Sequence, residues 1–103
     1  MERGTIHIRI ISLLLLAVIV GNVSWYAKGL KNPDGYTTAC WNEYKKGTKF
    51  KVTYRDNSVV VTCTDRGRFK EMGRFLDLSR GAFSTLAPLR KGIIKTEIEV
   101  LYQ

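Results

Sequence analysis

The clearest pattern in the chain is the alternation of apolar and polar residues, which is typical of half-buried β-strands. The alternation is regular across residues 49–54 and again from Ile94 onward. A polar turn at residues 55–58 lies between two such stretches, which predicts a β-hairpin across residues 49–64. The predicted strand stretches are residues 22–28, 37–41, 49–54, 59–64, 75–76 and 93–101. Five or six short strands of this kind indicate a mainly-β domain.

One short helix is predicted before the last strand. Ser79 is a favourable N-cap, because its hydroxyl can accept a hydrogen bond from the free amides of the first helical turn. Pro88 ends the helix. The apolar residues at helical spacing are Leu78, Ala82, Phe83 and Leu86. We expect Phe83 and Leu86 to fill the core of a small closed β-barrel, an architecture without long unpaired strand edges.

The first 21 residues differ in composition from the rest of the chain. Arg3 and Arg9 precede an almost entirely apolar run at residues 10–20. The core of an export signal has about 7–15 residues, whereas a membrane-spanning helix needs about 20. We therefore predict that residues 1–21 are a signal peptide or an N-terminal membrane anchor through residues 10–20, and that residues 22–103 form one domain. The predicted location is extracytoplasmic: periplasmic, cell-wall or secreted.

The charge of the chain is strongly basic. It has 17 Lys and Arg residues against 9 Asp and Glu residues, a net charge of +8. Basic surfaces attract polyanions, but these residues are scattered and no groove-reading motif accompanies them, so nucleic acid is not an expected partner. Cell-wall polymers and anionic lipids are the candidate polyanions outside the cytoplasm. A charge retained for solubility is the alternative explanation.

Two cysteines, Cys40 and Cys63, follow the predicted export signal. An even cysteine count in a small exported domain predicts a disulfide. Closing a loop of this length stabilises the fold by about 3 kcal/mol in the chain-entropy model. The alternative is a pair of buried, reduced thiols. The single histidine, His7, lies in the export segment, so we predict no metal site and no cofactor.

Four motifs occur in a fixed order after residue 22. They are Val23-Ser24-Trp25-Tyr26, residues 46–52, the stretch from Val59 to Pro88 with its Asp65-Arg66-Gly67 and Asp77-Leu78-Ser79 segments, and residues 98–101. In this order they resemble the bacterial rare lipoprotein A family. The resemblance implies a six-stranded double-psi β-barrel that acts as a monomer on the glycan strands of peptidoglycan.

Enzymes of that family are lytic transglycosylases, and the resemblance implies the same reaction here. They cleave between N-acetylmuramic acid and N-acetylglucosamine when the muramic C6 hydroxyl attacks, and one carboxyl group can serve as both acid and base. Asp65 and Asp77 follow apolar runs and are the candidates for that carboxyl group. A structural role, as a turn cap or a partner of the helix dipole, is the alternative for each.

The other candidate residues would bind the sugar. Flat aromatic faces stack on sugar rings, and Trp and Tyr also carry a polar edge. The candidates are Trp25, Tyr26, Asp34, Trp41, Arg66 and Arg74. We expect Trp41 to be the more exposed tryptophan. The chain departs from the family pattern at Trp41, where the enzymes carry a histidine, and in a shortened loop whose one remaining acid is Asp34.

Two rival functions stay open at this level. The first is a non-catalytic polysaccharide-binding barrel similar to expansins, which the missing histidine and acidic loop favour. The second is a small secreted defence or effector barrel of the barwin kind, although that group usually has more than two cysteines.

Overall fold

The computed structural model describes residues 18–26, 34–67 and 70–101. These residues form six strands, one α-helix and two short 3-10 helices. The elements in chain order are β1 (Val18–Tyr26), β2 (Thr37–Cys40), β3 (Lys49–Tyr54), β4 (Asn57–Arg66), a 3-10 helix (Lys70–Met72), β5 (Arg74–Ser79), α1 (Arg80–Leu86), a second 3-10 helix (Leu89–Lys91) and β6 (Ile93–Leu101).

The six strands close into a barrel in the order β1-β5-β2-β4-β3-β6. β1 runs parallel to β5, and β2 runs parallel to β4. The other four neighbouring pairs are antiparallel. The predicted small mainly-β barrel with one short helix is therefore confirmed, including the β3–β4 hairpin that pairs Tyr54 with Asn57 next to its turn.

Inward-facing side chains of the strands fill the barrel, and helix α1 covers part of it. Phe83 and Leu86 of α1 are buried, as the helical spacing predicted. The Ser79 hydroxyl accepts a hydrogen bond from the Ala82 amide and so caps the helix at the predicted residue. The strand residues that are fully buried include Val23, Phe50, Val52, Val61, Leu76, Leu78 and Ile98.

The segment around Asp34 passes directly over the start of α1. A Cβ atom on Gly81 would lie 2.3 Å from the Asp34 carbonyl oxygen. That distance is shorter than any normal contact, so glycine at position 81 is what allows this close approach. The Ser79 hydroxyl also donates to the carbonyl of Gly35. The connection into β2 is thereby held against the helix.

β1 begins at Val18, four residues before the strand that the sequence predicted. Its first residues pair antiparallel with β6, Val18 with Glu99 and Gly21 with Thr96. Val18 and Val20 face outward and are exposed, so apolar residues on both faces hide the alternation that marks the other strands. The predicted domain boundary between residues 21 and 22 falls inside this strand.

The predicted signal or anchor segment lies, for residues 1–17, outside the described residues. Within the described part of the chain, no helix has both the length and the apolar character needed to span a membrane.

Cys40 and Cys63 form the predicted disulfide, with a Cα–Cα distance of 5.8 Å. The bond joins β2 to β4, and both residues are buried. It therefore links two strands that are also paired in parallel next to the candidate site.

Candidate functional site

A row of four residues crosses four neighbouring strands on one side of the barrel. Ser24 of β1 pairs with Asp77 of β5, Asp77 pairs with Ala39 of β2, and Ala39 pairs with Asp65 of β4. Side chains at one register level share a face of the sheet. The two aspartates are two strand spacings apart, about 10 Å at the backbone. The structure therefore brings the two predicted catalytic carboxylates to one site.

Both aspartates owe their place in this row to a one-residue shift of register. Between β1 and β5 the pairing passes from Asn22–Arg74 to Val23–Leu76, so one β5 residue is left over. Between β2 and β4 the pairing similarly leaves Thr64 over, just before Asp65. A shift of this kind redirects the side chains that follow it. Asp65 and Asp77 consequently lie within strands, whereas the sequence predicted that both follow strand ends.

Asp77 is half-buried and belongs to a small polar network. The Ser24 hydroxyl donates to Asp77 Oδ1 over 2.7 Å, and Arg74 Nη1 donates to the Ser24 Oγ atom over 2.9 Å. Burial raises the pKa of the Asp77 carboxyl, and the Ser24 hydrogen bond and the Arg74 charge lower it by less than burial raises it. A raised carboxyl pKa is a property that general acids share.

Asp65 has a different environment, because it is exposed. Its Oδ1 atom accepts a hydrogen bond from the Arg66 backbone N–H over 2.8 Å. The Arg66 guanidinium turns away toward the β2–β3 loop, where it donates to the carbonyls of Trp41 (2.9 Å) and Tyr44. Arg66, a predicted sugar contact, thus holds this loop against β4.

Tyr26 lies two residues beyond Ser24 on β1, where it is half-buried. Burial, followed by the charges of Asp65 and Asp77, raises the pKa of the Tyr26 phenol to about 12. The negative charges of Asp65 and Asp77 therefore both act on the Tyr26 phenol. Its hydroxyl oxygen is buried and has no hydrogen-bond partner among the described residues.

The two tryptophans occupy different places, and both are half-buried. Trp25 donates from Nε1 to the Leu89 carbonyl over 2.9 Å and packs near the Phe83 ring. Trp41 donates from Nε1 to the Arg74 carbonyl over 3.1 Å and packs on Phe75. Trp25 thus faces the helix end of the barrel, whereas Trp41 stands at the end of β2, two residues past Ala39.

Trp41 borders an open surface groove of about 670 Å³. The Lys70 ammonium lies 4.8 Å from the centre of the Trp41 ring and forms an ion pair with Glu43. The residues that line this Trp41 groove are Trp41, Asn42, Glu43, Gly67, Lys70 and Glu71. Gly67 follows Asp65 by two positions, so the groove begins near the aspartate row.

Asp34 stands apart from the row. It forms a two-pronged ion pair with Arg80, at 2.9 Å from Nε and 2.8 Å from Nη2. The hydrogen bond and charge of Arg80 hold the pKa of the exposed Asp34 carboxyl below its usual value. The loop residues 32–33 that precede it lie outside the described residues. In the part of the chain that the structure describes, no three His, Cys, Asp or Glu residues cluster as a metal site would require.

Ser24 is the site residue that the sequence analysis did not select. It sits in the recognised Val23–Tyr26 motif, but its partner is 53 residues away on a parallel strand. Only the β1–β5 pairing makes Ser24 a neighbour of Asp77.

Comparison with known proteins agrees with the double-psi β-barrel fold. A family model described as "Lytic transglycolase" matches residues 18–98. The probable endolytic peptidoglycan transglycosylase RlpA of a Nostoc species is 42% identical over 72 residues, which cover 68% of this chain and 19% of that protein. The chain thus spans about a fifth of the length of this relative.

Solved structures share the fold. An expansin of Clavibacter michiganensis, in a complex with cellohexaose, superposes on this chain with a TM-score of 0.70 at 25% sequence identity. The superposed region covers 82% of this chain and 50% of the expansin chain. The ligand-free expansin gives the same TM-score at 26% identity, with 84% and 51% coverage. A Streptomyces papain inhibitor, 19% identical with a TM-score of 0.65, covers 82% of this chain and 94% of its own and shares the fold alone.

Proposed function

The chain belongs to the lytic transglycolase family of double-psi β-barrels, and from this premise we propose that it cleaves the glycan strands of peptidoglycan as a lytic transglycosylase. Asp77 is the general acid and base of the proposed reaction. Asp65 is the second carboxylate of the site. The substrate is the bond between N-acetylmuramic acid and N-acetylglucosamine.

The observation that carries this proposal is the environment of Asp77. A carboxyl group acts as a general acid near neutral pH when its surroundings raise its pKa. Burial does this for Asp77, while the Ser24 hydrogen bond on Oδ1 orients the group. Its Oδ2 atom has no hydrogen-bond partner among the described residues and is the oxygen that would meet the substrate.

The proposed reaction needs one carboxyl group and no activated water. Protonated Asp77 gives its proton to the glycosidic oxygen as the bond to the muramic C1 breaks. The muramic C6 hydroxyl then attacks C1, and the Asp77 carboxylate accepts the hydroxyl proton. The products are an N-acetylglucosamine end and a 1,6-anhydromuramic end, and Asp77 returns to its protonated form.

Asp65 and the neighbouring Trp41 groove would hold the sugar units next to the breaking bond. The exposed Asp65 carboxylate can accept hydrogen bonds from sugar hydroxyls and can face the positive charge that develops on the ring. The Trp41 ring offers an aromatic face beside Lys70, and aromatic residues are common sugar platforms. Arg74 acts through Ser24, which it holds by a hydrogen bond.

The test is digestion of purified peptidoglycan sacculi, with mass spectrometry of the soluble products. The wild type should release anhydro-muropeptides, and the Asp65→Asn, Asp77→Asn double variant should not. Asp56→Asn is the matched control, because Asp56 is an exposed aspartate in the β3–β4 turn. Release by the wild type no greater than by the double variant would contradict the enzymatic proposal.

A non-catalytic glycan-binding barrel is the second candidate function. Two observations favour it: the expansin likeness, with cellohexaose bound to that protein, and the presence of Trp41 where the family enzymes carry a histidine. On this alternative the aspartate row holds the polymer without cutting it. Sacculi that retain the wild type in a pull-down without releasing anhydro-muropeptides would favour this function over the first.

Export of the chain is part of the proposed function, since peptidoglycan lies outside the cytoplasm. We propose that residues 1–21 contain a signal or anchor segment, on the basis of the apolar run at residues 10–20. Fractionation of cells that express the full chain, with mass measurement of the extracytoplasmic form, would show export and cleavage. Recovery in the cytoplasm alone would contradict this assignment.

A further inference from the structure

The Tyr26 hydroxyl is a polar atom that the fold buries without a hydrogen-bond partner among residues 18–26, 34–67 and 70–101. Buried hydroxyl groups are nearly always hydrogen-bonded, and each exception in a folded protein calls for an explanation. The phenol also lies near the candidate site, since Tyr26 follows Ser24 by two positions on the same face of β1 and Ser24 pairs with Asp77. The charges of Asp65 and Asp77 both act on it. The hydroxyl oxygen is covered in this structure, so a bound glycan would become its acceptor after the groups that cover it move aside.

The protonation state of this phenol defines what it can do. Burial and the two carboxylates disfavour the phenolate, so Tyr26 keeps its proton at any physiological pH. It can therefore donate a hydrogen bond but cannot act as a base. The Asp65 carboxylate is an acceptor, whereas the protonated Asp77 of the proposed reaction donates to the glycosidic oxygen. A sugar between the two aspartates would therefore find an acceptor on β4 and donors on β5 and β1.

We infer that the Tyr26 hydroxyl donates a hydrogen bond to an acceptor oxygen of the glycan bound between Asp65 and Asp77, and so positions the sugar for Asp77. The inference rests on the proposed glycan substrate. It assigns the hydroxyl, rather than the aromatic face of Tyr26, as the group that contacts the sugar. A site built around such a bond loses affinity sharply when the bond cannot form.

The test is the Tyr26→Phe substitution in the full chain, which removes one oxygen atom and keeps the ring. Tyr54→Phe is the matched control, because Tyr54 is a half-buried tyrosine on β3 beside Arg55. Release of anhydro-muropeptides gives kcat and KM, sedimentation with sacculi gives binding, and thermal unfolding gives stability. All three are measured on the disulfide-bonded protein.

We expect Tyr26→Phe to lower kcat/KM, or binding to sacculi, by about tenfold or more. The thermal midpoint should stay level or rise, because the substitution removes a buried polar atom that has no partner. Tyr54→Phe should change neither activity nor binding. The combination of lost function and retained stability is the result that a purely structural tyrosine would not produce.

Three outcomes would overturn the inference. Wild-type activity and binding in Tyr26→Phe would exclude a role for the hydroxyl, while leaving the proposed function in place. Loss of function together with a lower thermal midpoint would assign Tyr26 a structural role. A wild type that neither cuts nor binds sacculi would instead refute the proposed function, and this inference with it.

Discussion

The barrel contains two parallel strand pairs, and each brings one aspartate to the candidate site in a different environment. In the β1–β5 pair, Asp77 is half-buried and accepts a hydrogen bond from Ser24. In the β2–β4 pair, Asp65 is exposed and accepts a hydrogen bond from the neighbouring Arg66 amide. A one-residue register shift precedes the aspartate in both pairs. The same one-residue register shift thus precedes a desolvated carboxyl group in one pair and a solvated carboxyl group in the other.

The two pairs also differ in what holds them together beyond the backbone ladder. The β2–β4 pair is joined covalently by Cys40–Cys63. The β1–β5 pair is joined by the side chains of Ser24, Asp77 and Arg74. The polar network tunes the acidity of Asp77, whereas a disulfide adds stability without adding charge. The comparison predicts that chemistry depends on the first pair and stability on the second.

The largest expected effect separates the two aspartates by activity. In the proposed reaction Asp77 protonates the leaving oxygen, so we expect Asp77→Asn to lower the rate of anhydro-muropeptide release by about 10²–10⁴-fold. Asp65→Asn should cost less, because it removes a charge and a hydrogen-bond acceptor but not the acid. A larger loss of rate in Asp65→Asn than in Asp77→Asn would indicate that Asp65 of the β2–β4 pair, and not Asp77 of the β1–β5 pair, is the acid.

Removal of the disulfide should affect stability more than any change in the β1–β5 network. A Cys40→Ala, Cys63→Ala double variant should lose about 3 kcal/mol of unfolding free energy. For a domain of this size that corresponds to a thermal midpoint lower by roughly 10–20 °C. The midpoint of the wild type should fall when reductant is added, and that of the double variant should not respond. An unchanged midpoint in the double variant would show that the covalent link adds no stability.

A smaller change should tune the acid without removing it. The Ser24 hydrogen bond lowers the pKa of Asp77, so Ser24→Ala should raise it further. Asp77 must hold its proton to act, and activity therefore falls as pH rises through its pKa. The alkaline limb of the pH–rate profile should move to higher pH in Ser24→Ala. If the limb stays in place or moves to lower pH, the titration of Asp77 does not set the alkaline limb of the pH–rate profile.

The smallest expected effect is on the pH dependence of stability. Burial raises the folded-state pKa of Asp77 above its unfolded value, so the associated stability is fully present below the unfolded pKa and is lost as pH rises through the folded pKa. An asparagine cannot ionise, so the Asp77→Asn variant does not lose this stability as the pH rises. Its thermal midpoint should exceed that of the wild type by a few degrees at pH 7, with a smaller difference at pH 3.

Asp34→Asn provides a control of opposite sign for that measurement. Arg80 holds the pKa of Asp34 below its usual value, so this aspartate contributes stability above its unfolded pKa, and the contribution is lost as pH falls through the folded pKa. The ion pair is exposed and its effect should be slight. A lower midpoint for Asp77→Asn than for the wild type at pH 7 would contradict the assigned burial of Asp77.

Several elements of the fold could be predicted because their signals are local. The β3 range and the β6 range follow from alternation, and Ser79 and Pro88 bound the helix region through capping and chain stiffness. β1 was predicted four residues too late, since Val18 and Val20 are apolar on the exposed face. β5 was predicted as a two-residue run, because its polar Asp77 belongs to a site rather than to the pattern of a core strand.

The candidate site could be predicted in its residues but not in its arrangement. Asp65, Asp77 and Tyr26 stand out as charged or aromatic residues beside apolar runs and in recognised motifs. Their proximity depends on β1–β5 and β2–β4 pairing in parallel, which no turn residue encodes because parallel strands are joined by long connections. The part of Ser24 in the site depends on the same pairing.

The sequence by itself determined a basic β-barrel that resembles a known family, because alternation, capping and short motifs act within a few residues of one another. Only the tertiary structure decided that the two aspartates share one row and that Asp77 is the desolvated member. It also decided that the Tyr26 hydroxyl has no partner within the described part of the chain. The physical reason is that desolvation and register are properties of neighbours in space. A one-residue shift in pairing decides them, and such a shift has no marker in the order of residues along the chain.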